Sequence, residues 1–281
     1  MVLVKDLMKI PITVDEESSL FEVVRKFLDN DISRLLITKG QNISSIVTEK
    51  DVGAFLLNDK TERRLNSIKI KEFSKDLISI KQDSSIHKAA EKMLENGIGS
   101  LGVENGKITG IVTKTDLTKF YADNYPGRKM VGEYMSPYYA WAYEDSPLYK
   151  IVSKMLHDRI SRLILRNREE IPVGILSFRD LFRTALIEGE EDSIIDNKDL
   201  AISVISPRIG FLSETGFGGT TLAKDIMKDE IISVNYDDDL AKACKVMVDN
   251  KINGVAVLSN RGSLIGILSK TDVMRALAFL P

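Results

Sequence analysis

Ile111-Val112-Thr113-Lys114-Thr115-Asp116 is one of four copies of a short pattern in this 281-residue chain. The others are Ile46-Val47-Thr48-Glu49-Lys50-Asp51, Ile175-Leu176-Ser177-Phe178-Arg179-Asp180 and Ile267-Leu268-Ser269-Lys270-Thr271-Asp272. Each copy joins an apolar pair to a hydroxyl residue, two variable positions and an aspartate, and a Val or Leu follows. Successive aspartates lie 65, 64 and 92 residues apart. Two near-equal periods and one long one describe four units, with about 28 residues inserted before the last.

Upstream of each copy runs an apolar stripe at helical spacing: Leu20, Val23, Val24, Phe27, Leu28; Ile86, Ala89, Ala90, Met93, Leu94; Leu148, Ile151, Val152, Met155, Leu156; and Leu240, Ala243, Cys244, Met247, Val248. Positions i, i+3, i+4, i+7 and i+8 form one buried face of an amphipathic helix. Ser18, Ser84, Ser146 and Asp238 are the expected N-caps, with Pro147 at the first helical position. Short extended runs precede these caps (Ile12-Thr13-Val14, Ile78-Ser79-Ile80, Ala140-Trp141-Ala142, Ile232-Ser233-Val234). After each helix comes an aliphatic strand such as Ile32-Ser33-Arg34-Leu35-Leu36-Ile37 or Ile160-Ser161-Arg162-Leu163-Ile164-Leu165. A third strand carries the apolar pair, and a second helix is expected to start at the motif aspartate.

The fold class is therefore α+β, built of four β-α-β-β-α units. Expected bounds are 1–59, 66–124, 129–187 and 220–281, with 188–219 an insertion that opens acidic and adds an edge strand from 200–205. The Gly216-Phe217-Gly218-Gly219 stretch lacks the ending of a P-loop and reads as a turn into unit four. A unit this small has a meagre core alone, so units one and two should pair, and three and four.

Composition narrows the function classes. A hydrophobic fraction of 43% with 28% charged residues is that of a globular protein, and a net charge of -2 argues against a dedicated nucleic-acid binder. The absence of a signal peptide or spanning run points to the cytoplasm and to no membrane association. One cysteine, Cys244, and two histidines in unmatched positions exclude a disulfide and offer no metal set. Cys244 reads as a buried structural thiol. No catalytic constellation recurs at matching positions, so the chain reads as a non-enzyme.

The apolar-apolar-[Thr/Ser]-x-x-Asp ending, four times in phase, resembles the CBS domain. Four in series resemble the archaeal stand-alone CBS proteins and the γ subunit of AMP-activated protein kinase. That resemblance implies two Bateman modules forming a disc, a homodimer of it, and adenine nucleotide (AMP, ADP or ATP) bound in inter-repeat clefts as a regulatory ligand. It places the ribose on Asp51, Asp116, Asp180 and Asp272, and ribose or phosphate on Thr48, Thr113, Ser177 and Ser269. Arg34 and Arg162 match the family's basic strand position, one per module, with Lys50, Lys114, Arg179 and Lys270 adding charge near the phosphate. The adenine clefts fall at Ile12, Ile78, Trp141 and Ile232. A carboxylate that accepts from a vicinal diol, and a helix N-terminus that favours an anion, suit this chemistry.

Two departures reduce the expected occupancy to one or two sites per chain. Ser45 replaces Gly110, Gly174 and Gly266 of the other units, where a glycine lets the backbone approach a ligand, and Trp141 stands where Thr13, Ser79 and Ser233 stand. Competing readings are a motif aspartate that merely caps its helix, surface ion pairs for the arginines, and packing for Trp141. At the level of function the alternatives are a scaffold binding protein or nucleic acid through degenerate clefts, and an S-adenosylmethionine sensor. The effector is an unidentified protein.

Overall fold

The computed structural model describes residues 2–59, 61, 63–185, 212 and 214–279. The acidic run at 188–192 and the edge strand expected at 200–205 lie outside the described residues. Repeat one comprises β1 (Thr13–Asp15), α1 (Leu20–Asp29), β2 (Arg34–Lys39), β3 (Asn42–Thr48) and α2 (Glu49–Asn58). Repeat two has β4 (Lys75–Asp76) in its leader, then β5 (Ser79–Lys81), α3 (Ile86–Glu95), β6 (Ser100–Asn105), β7 (Lys107–Thr113) and α4 (Lys114–Asn124). Repeat three has α5 (Val131–Tyr134) in its leader, then β8 (Trp141–Tyr143), α6 (Leu148–His157), β9 (Arg162–Arg166), β10 (Pro172–Ser177) and α7 (Phe178–Ala185). Repeat four follows α8 (Phe217–Thr220) with β11 (Ser233–Asn235), α9 (Leu240–Asp249), β12 (Gly254–Leu258), β13 (Leu264–Ser269) and α10 (Lys270–Ala278).

In every repeat the first strand pairs parallel with the second, and the second antiparallel with the third. The helical stripes are buried as their spacing predicts: Leu20, Val23, Val24 and Phe27 are core residues, as are their counterparts in α3, α6 and α9. Cys244 is fully buried within one of these stripes.

The N-caps sit one residue later than the spacing predicts, at Ser19, Ser85, Pro147 and Asp239. Ser18, Ser84, Ser146 and Asp238 instead close the turn between strand and helix, their N–H groups donating to Asp15, Lys81, Tyr143 and Asn235 carbonyls. Pro147 is thus a cap rather than the first helical residue. Ser19 shows why the shift is stable: its Oγ accepts from the Glu22 N–H while Glu22 reaches back to the Ser19 N–H at 2.7 Å.

The chain divides into two compact units. One holds Met1–Pro11, Leu77–Tyr139 and Ile231–Pro281, the other Ile12–Asp76 and Ala140–Glu230. The first unit therefore unites repeats two and four, whose α4 packs on α9 and α10 on α3. The second unites repeats one and three, where α2 packs on α6 and α7. Phe178 fills the notch left by Gly53, where a Cβ would come within 2.4 Å of its ring.

The pairing expected from sequence, one with two and three with four, is not the one in which the contacts cluster, and each unit is completed by leader segments that precede repeats outside it. Leader residues before repeat one are built into repeat two: Val4 N–H donates to Ser84 O, and Lys9 bridges Ile111. The leader of repeat two serves repeat one through Ile68 O and β4, which pairs with β3. Likewise Lys129 O and Ser136 meet repeat four, and Thr221 O and Lys228 meet repeat three. The Gly216–Gly219 stretch is accordingly not an entry to repeat four's own core; Phe217–Thr220 is one helical turn in the unit of repeats one and three.

The exchange explains the glycines. A Cβ at Gly266 would lie 2.4 Å from Ser136 O, at Gly174 2.8 Å from Lys228 O, and at Gly110 2.8 Å from Met8 Sδ. These glycines admit the passing leader, so their spacing reports leader packing, not ligand approach. Ser45 is accommodated because its leader runs as a regular ladder partner, Asp76. Gly266→Val should cost about 1–3 kcal/mol by overpacking. Urea denaturation monitored by circular dichroism checks this; Ser45→Gly should change stability far less.

Candidate functional site

The hydroxyl-x-x-Asp pattern is a helix-capping device in the folded chain. α2, α4, α7 and α10 begin two residues before the aspartate, which is the third helical residue rather than the first. In repeat two, Thr113 N–H and Oγ1–H both donate to Asp116 Oδ2, at 2.9 and 2.6 Å, and Asp116 N–H returns to Thr113 Oγ1 at 3.3 Å. Repeat one repeats this with Thr48 and Asp51. Ser177 and Asp180, and Ser269 and Asp272, share the two donations to Oδ2. A capping box satisfies helix-end donors that would otherwise be lost to the core.

Because Oδ2 is always the internal acceptor, Oδ1 of every motif aspartate faces outward to a cation. Lys9 meets Asp116 Oδ1 at 2.6 Å, Lys228 meets Asp180 Oδ1 at 3.3 Å, and Lys75 meets Asp51 Oδ1. All three lysines come from the exchanged leaders, at one equivalent position. The leader of repeat three carries Ser136 there, and Asp272 Oδ1 is met by Arg275 of its own helix at 2.7 Å. These aspartates are nearly buried while the lysines are exposed. Exposed partners of this kind exchange readily and contribute little stability.

Strand register sets the basic residues against the motif. Arg34 is the direct cross-strand partner of Thr48, and Arg162 of Ser177. The equivalent partners of Thr113 and Ser269 are Ser100 and Gly254. Sequence allots one arginine to each of the pairs one–two and three–four; the fold gathers both arginines into the unit of repeats one and three. There the second variable residues cross between motifs: Lys50 Nζ donates to Arg159 O at 2.6 Å, and Arg179 reaches Asp31 and, through Nε, Glu49 Oε1 at 3.0 Å. Burial lowers the Lys50 pKa and pushes that of Arg162 down to about 10, because a charge hemmed in by protein loses hydration.

The unit of repeats two and four places its cations at the first variable position instead. Lys114 Nζ donates to Thr271 Oγ1 at 2.9 Å and Lys270 Nζ to Thr115 Oγ1 at 3.0 Å, a reciprocal pair across α4 and α10. Lys270 is almost fully buried.

The adenine-cleft residues do not form one equivalent set. Ile12, Ile78 and Ile232 use their carbonyls to accept from the second strand, as Ala140 does in repeat three. Trp141 is one residue further on, in register with Thr13, Ser79 and Ser233. It stacks under the Arg166 guanidinium at 4.8 Å and edge-on to Tyr143 at 5.2 Å. The helix ends also have fewer N–H groups to offer than their position alone implies. The first-residue amides donate to Ser33, Gly99, Ser161 and Asn253 carbonyls, and the third-residue amides of repeats one and two return to their threonines. Among the described residues no cluster of three or more His, Cys, Asp or Glu could hold a metal, and no helix is long and apolar enough to cross a membrane.

The CBS domain model matches residues 4–57, 70–123, 131–186 and 223–279. The chain belongs to the CBS-domain family. Over 140 residues, 48% of this chain and 83% of the relative, it is 30% identical to the uncharacterised protein MJ1426 of Methanocaldococcus jannaschii. It is 20% identical to protein MJ1225 of the same organism, over 95% of both chains. The crystal structure of MJ1225, a protein proposed as an archaeal homologue of γ-AMPK, superposes with a TM-score of 0.79 at 19% identity, covering 99% of this chain and all of that one. An uncharacterised protein of Pyrococcus horikoshii follows the same fold at a TM-score of 0.63 and 18% identity, covering 98% of this chain and all of that one.

Two features of the CBS repeats escape a linear reading. Lys9, Lys75 and Lys228 lie in the leader of a different repeat from the aspartate each one meets, and the sequence signal is a similar offset, four or five residues, before the first strand. Glu49 is the other: a buried carboxylate at a position held elsewhere by Lys114, Phe178 and Lys270.

Thr113→Ala should destabilise the protein by about 1 kcal/mol through loss of the cap, measured by urea denaturation, with Thr113→Ser close to wild type. A pH effect follows from Glu49. Desolvation by burial is the largest influence on its carboxyl and raises its pKa, outweighing attraction by Arg179, Arg34 and Arg162. A raised folded-state pKa means the folded protein holds this proton more tightly than the unfolded chain. The resulting stability is present below the ordinary glutamate value of 4.5 and is lost as pH rises through the raised pKa. Glu49→Gln should therefore gain stability relative to wild type as pH rises from 4.5 through the raised pKa and hold that gain above it, read from urea midpoints across the pH range.

Proposed function

We propose that this CBS protein is a regulatory module that binds adenine nucleotide, AMP, ADP or ATP, and signals to a partner protein by a change of shape. The observation that carries the reading is the repeated division of labour within the motif. Oδ2 of each aspartate is committed to the helix cap, while Oδ1 meets an exposed cation whose movement would let it accept from a ribose diol. Beside it stand cations suited to phosphate: Arg34, Arg162, Arg179 and Lys50 in one unit, Lys114 and Lys270 in the other. Guanidinium groups match the oxygens of a phosphate in a way a single ammonium does not.

The proposed contacts are Asp51, Asp116, Asp180 and Asp272 for ribose, with Thr48, Thr113, Ser177 and Ser269 toward ribose or phosphate. Adenine would lie along Ile12, Ile78 and Ile232, and repeat three, where Trp141 is already stacked on Arg166, would be the poorest base site. Such a ligand can shift the protein only by binding one conformation better than another. A homodimer of the chain is part of this proposal, as the surface through which occupancy is passed on. The role is regulatory, not catalytic.

S-adenosylmethionine is a weaker candidate, since its sulfonium cation would be repelled by the arginine-rich unit. Isothermal titration with AMP, ADP, ATP, adenosine and S-adenosylmethionine tests the reading. Phosphate-bearing ligands should bind at least about tenfold more tightly than adenosine, and Asp116→Ala or Asp272→Ala should remove one binding event each. Flat traces for every ligand, with salt-dependent retention on DNA or RNA, would instead establish the scaffold alternative.

A further inference from the structure

Arg179 pairs with a buried carboxylate, Glu49, on which Arg34 and Arg162 also act. Glu49 begins α2, and its side chain is 11% exposed against 19% for Arg179. Arg179 Nε lies 3.0 Å from Glu49 Oε1, and Arg34 and Arg162 both act on the same carboxylate electrostatically. Other charged groups also face the cluster. Asp31 pairs with Arg179, Asp180 faces Arg162, and Lys50 turns to the Arg159 carbonyl.

This carboxylate is peculiar to one repeat. At the same motif position the other repeats carry Lys114, Phe178 and Lys270. The unit of repeats two and four holds its two cations apart by Lys114–Thr271 and Lys270–Thr115 hydrogen bonds. The unit of repeats one and three instead sets the buried Glu49 carboxylate against the Arg179 guanidinium, with Arg34 and Arg162 adding attraction that does not fully offset the cost of burying the charge. An acidic residue in the first turn of a helix is also favoured by the helix dipole.

We propose that Glu49 is an internal counter-anion that holds the place of a ligand phosphate among Arg34, Arg162 and Arg179. It determines how tightly the unit of repeats one and three takes a phosphorylated ligand. The inference rests on the nucleotide reading for its site and adds the competitor: a phosphate entering this cluster must displace the Glu49 carboxylate from Arg179.

Inorganic pyrophosphate and AMP, each titrated calorimetrically into wild type, Glu49→Gln and Glu49→Asp, test it. Glu49→Gln should bind pyrophosphate about tenfold more tightly than wild type, because one competing charge is gone, and Glu49→Asp should stay near wild type. Unchanged or weaker pyrophosphate binding by Glu49→Gln, with AMP binding intact in wild type, overturns the counter-anion and leaves the nucleotide reading standing. Tighter pyrophosphate binding with no advantage for AMP over pyrophosphate supports Glu49 and sinks the nucleotide reading. No binding of either probe by any form overturns both. Should Glu49→Gln not fold, NMR of the wild-type arginine Nε–H groups gives the same decision. Pyrophosphate should shift the Arg179 resonance as the Glu49 contact breaks, and binding that leaves it unmoved overturns the proposal.

Discussion

One small hydrogen-bonded ring, in which a Thr or Ser caps a helix and the aspartate three residues on reaches back to it, recurs four times and organises the rest of the molecule. It commits one carboxylate oxygen to the backbone and so fixes the direction of the other. It also ends the third strand at a defined residue, which sets the cross-strand partner of the hydroxyl. Arg34 and Arg162 stand opposite that hydroxyl because of register, and in the other unit Ser100 and Gly254 stand there, with Lys114 and Lys270 inside the motifs. The cap is thus both a structural necessity and the frame of the candidate site, and the capping and ligand-binding readings of the aspartate are compatible.

The leaders impose the second constraint. Each repeat is completed by the residues that precede its neighbour, and three glycines are needed simply to let those residues pass. A repeat could not bury its own sheet edge and helix ends with the chain it owns, which is the ordinary difficulty of a sixty-residue fold. Trading leaders solves it without lengthening any loop. The same trade delivers Lys9, Lys75 and Lys228 to aspartates that they do not neighbour in sequence. Salt bridges this exposed add little to stability; their interest lies in where the lysines come from, since each one belongs to a segment that continues into another repeat's first strand.

The two compact units solve one electrostatic problem in two ways. Where repeats two and four meet, the facing cations are lysines that donate to threonine hydroxyls. Where repeats one and three meet, they are arginines, and a glutamate is buried to offset them despite the desolvation that raises its pKa. Four repeats of one plan thereby present two chemically distinct candidate sites.

The sequence by itself determined the number of repeats, their β-α-β-β-α plan, the buried stripe of each first helix, and the motif residues around which the site is built. Those properties follow from spacing, and spacing survives any arrangement of the repeats. It placed the helix starts a residue or two away from where they fall, because a serine that closes a turn and a serine that caps a helix look alike until their N–H partners are known. The glycines of the third strand looked like ligand-approach positions, because a passing leader and a passing ligand make the same demand for a missing Cβ. Which repeats share a helical core, that both arginines fall in one unit, and that Glu49 stands among them were decided only by the tertiary structure. These depend on contacts between side chains about 130 residues apart in the chain, such as Arg179 with Glu49, and no periodicity along the sequence encodes a contact of that range.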